Sequence, residues 1–389
     1  MKFLVLTARI RWTVDGDENK KFFHGHINSK NRKKRINGLL INGRWTTDKE
    51  EIKQETKRFF EEKFREPRET RPSLISPHFK KISMMDAIRL EAPFTYEEIK
   101  VAVWACGSER APGPDGFTFM FIKHFWGFLS GDIIRFARHF EDKGTISNGC
   151  NSSLITLVPK CKDPTSLADF RPISLIGCIY KIISKALSSR LKKVIGNVID
   201  EVQSAYVEGR NILDGPLIVN EVCSWAKKIK KKILLFKVDF DKAFDSVNWG
   251  YLDSVLLQLG FGNKWRSWIH ACLSSSRASV VVNGCPTDEF NMSKGVRQGD
   301  PLSPFLFIVA MEGLNVALKI AKDKGLFKGV TIPGCSSELS HLFYADDALF
   351  MGEWSKTNIK NLARILRCFH ATSGLKVNFS KSKVFGIGL

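Results

Sequence analysis

The sequence predicts an α+β fold, and three observations carry that reading. Short apolar runs such as Ile233 to Phe240 (ILLFKVDF) and Leu342 to Met351 (LFYADDALFM) have the length and composition of buried strands. Helical periods such as Ile179, Ile182, Ile183, Ala186, Leu187, Leu191, Val194 and Ile195 place apolar residues on one face and lysines on the others. With 389 residues, 43% of them hydrophobic, the chain has enough apolar content for one large or two ordinary domains.

The formal net charge is +20, spread over many segments. Nucleic acid is the expected partner of such a surface, because neutralising phosphates releases condensed counterions. An anionic membrane is disfavoured by the lack of a long apolar stretch or lipidation signal. The opening MKFLVL is too short for a signal-peptide core. Nine cysteines stand singly, without a CxxC pair or Cys/His cluster, which predicts a reducing compartment and no zinc site.

Taken in order, residues 1–90 read as a basic, mainly helical extension ending in a linker. Phe22 and Phe23 precede Arg32, Lys33 and Lys34, and aromatics interleaved with cations suit single-stranded nucleic acid. His24 and His26 have no further metal ligand nearby. Asp48 and Glu51 start a helix whose face is Ile52, Phe59, Phe60 and Phe64. Glu66 to Pro77 holds three prolines and reads as the linker. Phe94 to Ala105 is a helix, broken by Pro112, Gly113, Pro114 and Gly116. LITLVPKCKDPTSLADFRPISLIG gives two strands and a loop, with Lys160 and Arg171 as its notable cations.

Beyond the Asp239 strand, Tyr251, Leu252, Val255, Leu256 and Leu259 form a helix face ended by Gly260. Trp265, Trp268 and Ile269 mark another helix, and Asn283-Gly284 turns a hairpin. In GVRQGDPLSP, Gly295 and Gly299 permit close backbone approach, and Ser303-Pro304 supplies an N-cap and first helical residue. The helix through Phe305 to Ile320 is apolar nearly all round and is expected to be buried. Ile359, Leu362, Ile365, Leu366 and Phe369 form a last helix, stopped at Gly374.

The chemistry is concentrated in acidic residues at strand ends. Asp346 and Asp347 lie at the tip of a hairpin, where neighbouring carboxylates repel each other and resist ionising. A divalent cation relieves that conflict; the plain alternative is a polar surface turn. Asp239 ends an upstream strand, and the helix cap it would otherwise provide falls to Asp245 or Asn248. Together these carboxylates suit a two-ion site for in-line displacement at phosphorus.

VDFDKAFD, YADD and the intervening GVRQGDPLSPFLF resemble the reverse transcriptases of non-LTR (LINE-type) retrotransposons and group II introns, nearest in pattern to plant elements, from about Glu91 onward. The resemblance implies right-hand polymerase fingers and palm over residues 91–389, an antiparallel palm sheet backed by helices, and a thumb absent beyond the closing GIGL. Catalysis falls to Asp239, Asp346, Asp347 and Lys381, the lysine as charge stabiliser, proton donor or simply a solvated side chain. Asp239, Phe240, Asp346 and Asp347 form the implied metal site for two Mg²⁺ ions, with Mn²⁺ as the alternative. Lys160 (or Lys162) and Arg171 are implied to grip the triphosphate. Phe240, Phe244, Gln298 and Gly299 complete the substrate site, with Phe244 excluding a 2′-hydroxyl or packing in the core. Gln203, Gly209, Arg210 and Arg297 are implied template contacts.

The implied function is RNA-directed DNA synthesis: transfer from a dNTP to a primer 3′-hydroxyl on an RNA template, the primer being DNA or nicked target DNA. The expected location is nuclear, with a cytoplasmic ribonucleoprotein stage, no membrane and no zinc; oligomeric state is left open. The alternatives are a truncated or domesticated RNA-binding remnant without turnover, and an RNA-synthesising polymerase.

Overall fold

A computed structural model describes residues 35–68, 70–333 and 338–388; Phe22, Phe23, His24, His26 and the run through Lys34 lie outside the described residues. The chain opens with a hairpin, β1 (Leu39–Ile41) and β2 (Arg44–Thr46). Helix α1 (Lys49–Phe64) follows, and Asp48 accepts the Glu51 N–H at 2.7 Å as its cap. Ile52, Phe60 and Phe64 enter a core shared with Ile155, Phe170 and Val280. The described part of the N-terminal extension thus packs against residues from beyond residue 90. The proline-rich stretch is also tied down: Arg71 pairs with Glu66 at 2.9 Å and donates to the carbonyls of His370 and Ala371.

Helices α2 (Met84–Leu90), α3 (Tyr96–Trp104) and α4 (Phe119–His124) are each opened by a hydroxyl cap, from Ser83, Thr95 and Thr118. Thr95 starts α3 later than expected, leaving Phe94 to stack on Trp268. After α5 (Trp126–Lys143), β3 (Ser152–Pro159) and β4 (Phe170–Ile176) form the predicted antiparallel pair, with Val158 opposite Arg171. Then come α6 (Cys178–Val194), α7 (Asp214–Lys228), β5 (Ile233–Val238), β6 (Phe240–Asp241), α8 (Ala243–Ser246), α9 (Trp249–Gln258) and α10 (Asn263–Ser274). Strand β7 (Arg277–Val282) runs parallel to β3 and carries the short β8 (Cys285–Pro286) and β9 (Phe290–Asn291), completing the first sheet.

The remaining elements are α11 (Ser303–Asp323), β10 (His341–Tyr344), β11 (Asp347–Glu353), α12 (Lys356–Ser373), β12 (Lys376–Val377) and β13 (Lys383–Ile387). The second sheet has the order β10-β11-β5-β13, every pair antiparallel, and β12 pairs with β6 beside it. Phe236, Phe343 and Phe350 of this sheet share one apolar core with Phe307 and Leu314 of α11.

Two expectations about α11 need correction. The helix is long and apolar enough to cross a membrane by length and composition, so the chain does hold a long apolar stretch; here it is mostly buried as a core helix. Its capping residue is Leu302 rather than Ser303, and no side chain of its own caps it. Asp300 instead accepts the Leu302 N–H at 3.0 Å, which leaves Ser303 buried inside the first turn.

Phe60 is fully buried where α1 meets the first sheet. Phe60→Ala should cost about 3–5 kcal/mol and shift a single cooperative denaturation curve. A variant that lost only a separate early transition, with the main midpoint unmoved, would show that α1 folds apart from the rest.

Candidate active site

Asp239 occupies the break between β5 and β6. Its N–H donates to Ser382 Oγ at 3.1 Å, and its carbonyl accepts the Asn378 N–H at 2.8 Å. The turn joining β12 to β13 thus takes both main-chain groups and fixes this residue at the end of the sheet. The last pair of the β5–β11 ladder is Val238 with Ala348, so Asp239 and Asp347 stand one step beyond it on facing strands. At the hairpin tip Ala345 has φ +53°, an unusual conformation outside glycine, and Asp346 follows it.

The Asp346 carboxyl is pushed above its ordinary range, first by lost hydration and then by Asp347 and Asp239; its own backbone N–H and Arg171 act in the opposite sense. Asp347 is exposed and pairs with Lys237 at 3.1 Å, a contact that solvent largely screens. Among the described residues no three His, Cys, Asp or Glu side chains stand close enough to hold a metal unaided. Magnesium needs fewer: it binds through one or two carboxylates and completes its shell with water and substrate phosphate. The crowding around Asp346 is the conflict a divalent cation relieves, and the donors are hard oxygens, so these residues fit such an ion.

Arg171, which acts on Asp346, belongs to a group of cations. Lys160 is held below the usual lysine range by burial and then by Lys63, Lys381 and Arg171, with Asp245 opposing, so these four cations share one neighbourhood. Lys160 Nζ donates to the Ala168 carbonyl at 2.8 Å, while Arg171 and Lys381 are exposed. Sequence reasoning missed Lys63. It reaches from α1 to Asp245 at 2.7 Å, and the two side chains are only 8% and 4% exposed. A lysine between two core phenylalanines carries no sequence mark of such a role. Asp245 keeps one oxygen, Oδ1, buried without a partner.

Phe244 is half-buried and stacks on Phe307 with ring centroids 4.4 Å apart. Phe240 turns its ring into the core against Phe369, so its side chain is not a substrate contact; any role it has at the site falls to its main chain. Gln298 accepts the Ser174 N–H at 2.8 Å, seating its turn on β4 near Arg171. Gly299, with φ +112°, lies so close that a Cβ would come within 2.7 Å of the Ser174 carbonyl.

The implied template contacts are corrected by the structure. Arg297 is 4% exposed; its guanidinium donates to Asn151, pairs with Asp300 and lies over the Tyr180 ring. Arg210 spends its donors on the carbonyls of Ile199, Asp200 and Gln203. Gln203 is 2% exposed and accepts main-chain N–H groups of the hairpin and of its own loop. All three hold loops beneath the site. Gly209 lies exposed in the same loop, with φ +80°.

A two-carboxylate turn set beside an acidic strand end, with Arg171 near it, has the layout of a polymerase palm. The family described as "Reverse transcriptase (RNA-dependent DNA polymerase)" matches residues 158–386. The chain belongs to this family, in its non-LTR retrotransposon branch. It is 29% identical over 387 residues to the uncharacterized 149 kDa protein of transposon TX1 from Xenopus laevis, covering 96% of this chain and 28% of that protein. It is 26% identical over 297 residues to the Pol polyprotein of a type-1 retrotransposable element R2 from Popillia japonica, covering 75% and 39%. The R2DM polyprotein of Drosophila melanogaster is 25% identical over 319 residues, covering 82% and 29%. The chain thus spans well under half the length of each of these relatives.

Beneath the hairpin lies a buried polar network. Glu312 of α11 accepts the Asp200 N–H at 3.1 Å and Asn315 Nδ2 at 2.6 Å, and burial raises its carboxyl to about 7. His341 of β10 contacts Ser340 Oγ and Asn315 Oδ1, and burial lowers its imidazole to about 3. Glu312 has a folded value above the unfolded one, so its contribution is complete below the usual carboxylate range and is lost as pH rises to about 7. His341 acts oppositely: stability falls as pH drops through the ordinary histidine range toward 3. Glu312→Gln should therefore gain on the native protein as pH rises, by up to about 3 kcal/mol at pH 8. Urea midpoints at pH 5 and pH 8 test this; a gap that stays constant between them would count against it.

Proposed function

We propose that this chain is an RNA-directed DNA polymerase that transfers a nucleotide from a dNTP to a primer 3′-hydroxyl. The observation that carries the reading is Asp239, fixed at the β5–β6 break beside the Asp346–Asp347 turn. Asp239 and Asp346, with the Phe240 main chain and Asp347, would hold two Mg²⁺ ions, or Mn²⁺ in their place. When bound, such ions activate the attacking oxygen and steady the leaving one. Arg171 and Lys160 draw in the triphosphate, the guanidinium through paired donors and the lysine as a point charge. The Gln298–Gly299 turn shapes the wall against which the nascent pair sits. Phe244, backed by Phe307, resists a 2′-hydroxyl by bulk. Lys381 sits among the same cations and stabilises or protonates the departing pyrophosphate. An RNA template and a DNA primer or nicked target strand follow as partners, and work at chromosomal DNA places the protein in the nucleus.

Primer extension on poly(rA)/oligo(dT) with Mg²⁺ tests this. Asp239→Ala and Asp346→Ala should each lower the rate by about a thousandfold or more while RNA binding persists. RNA binding by the unaltered protein with no extension at any concentration would favour a non-catalytic remnant. Phe244→Val should raise ribonucleotide incorporation about tenfold or more; unchanged discrimination would remove Phe244 from the specificity argument.

A further inference from the structure

The segment from Val202 to Ser204 adds itself to the open edge of the second sheet. The Phe343 N–H donates to the Val202 carbonyl at 2.7 Å, and the Ser204 N–H donates to the Phe343 carbonyl at 3.0 Å. Gln203, between them, is 2% exposed. Its Oε1 accepts two main-chain N–H groups, from Ala205 at 3.0 Å and from Ala345 at 2.9 Å. Ala345 is the left-handed residue immediately before Asp346. An L-residue with a Cβ resists that conformation unless its surroundings hold it there. Arg210 braces the other side of the loop through the carbonyls of Ile199, Asp200 and Gln203.

The remaining Gln203 atom is informative. Its Nε2 is buried with no partner. Turning the amide over would set the NH₂ group against two N–H donors, so Oε1 is forced toward Ala345. A buried donor left unpaired is unfavourable, and an apolar side chain of the same size would suit the packing better. The residue type is therefore explained by its acceptor and not by filling space.

We propose that Gln203 is a positioning residue which holds the Ala345 turn and thereby orients the Asp346 carboxylate toward the place where a divalent ion would be held. The inference deepens the polymerase reading and rests on it for its catalytic consequence.

The test uses the full chain with Gln203→Met, which keeps the size and removes the acceptor, and Gln203→Asn, which keeps an amide and shortens its reach. Hydrogen–deuterium exchange of peptides spanning residues 342–348 reads the turn without any activity. Exchange should quicken about tenfold in Gln203→Met and by less in Gln203→Asn. Primer extension should show kcat falling about tenfold with the dNTP KM nearly unchanged, and a higher Mg²⁺ concentration for half-maximal rate. Glycine adopts positive φ without strain, so the loss caused by Gln203→Met should shrink in an Ala345→Gly background. Unchanged exchange and kcat, or an equal loss in both backgrounds, would overturn the proposal. If Gln203→Met fails to fold, Gln203→Asn carries the same comparisons. If the unaltered protein extends no primer, the polymerase reading falls, and the exchange measurement alone decides whether Gln203 holds the turn.

Discussion

Like charges are forced together at the end of a sheet that is otherwise apolar, and most of the molecule serves that arrangement. Val238, Ala348 and Phe350 are buried immediately behind Asp239 and the hairpin tip, so the carboxylates cannot retreat into a polar interior. They cannot drift apart either, because Asp239 is tied through its main chain to the β12–β13 turn and Asp346 is fixed by the hairpin. Part of the repulsion is displayed as the raised carboxyl of Asp346. A site built in this way is unfavourable when empty of counter-charge and attracts whatever brings it.

The answering cations come from four different parts of the chain. Lys63 arrives on α1, Lys160 and Arg171 on the two sides of the β3–β4 loop, and Lys381 on the turn that also holds Asp239. Their mutual repulsion is the mirror of the carboxylate crowding, and a triphosphate with bound metal would neutralise both at once. Asp245 compensates one of these cations, pairing with Lys63 out of solvent. A pair so buried is weak evidence for stability, yet losing either partner would strand the other as an uncompensated charge. It therefore couples the N-terminal helix to the short helix bearing Phe244.

What the sequence could disclose follows from which quantities are local. The strand bearing Asp239, the YADD hairpin, the Asn283-Gly284 turn and the helix from Cys178 to Val194 were legible because period and turn chemistry are written over a few neighbouring residues. Their acidic residues stood out as a candidate site because neighbouring carboxylates at strand ends repel each other and invite a counter-charge. Arg210, Arg297 and Gln203 were misread for the opposite reason. A guanidinium has the same donors whether it faces a phosphate or a ring of carbonyls, and only tertiary burial tells the two apart. Lys63 was invisible because its partner lies far along the chain, and Ser303 falls inside the first turn of α11 because Leu302, whose N–H Asp300 accepts, takes the capping position. The contacts of Arg71 with His370 and Ala371 were hidden in the same way, because prolines mark irregular backbone and say nothing of what it packs against.

The misread residues also change how the site is understood. Had the donors of Arg210 and Arg297 been free, template binding would have drawn on them directly, and the hairpin turn would have stood on its own. Instead their donors hold the floor of the site. Arg297 anchors the loop that presents Gln298 and Gly299, while Arg210 braces the loop that presents Gln203 to Ala345. Charged side chains inside a protein are costly unless they are paired or hydrogen-bonded, and here the terminal nitrogens of both guanidiniums are spent on carbonyls, an amide oxygen and a carboxylate. The positive charge available to nucleic acid is accordingly a surface property of the many exposed lysines, whereas the main-chain positions around the site are held by Arg210, Arg297 and Gln203, the last two almost fully buried. Affinity and geometry are supplied by separate sets of residues, so substitutions in one set should leave the other largely intact.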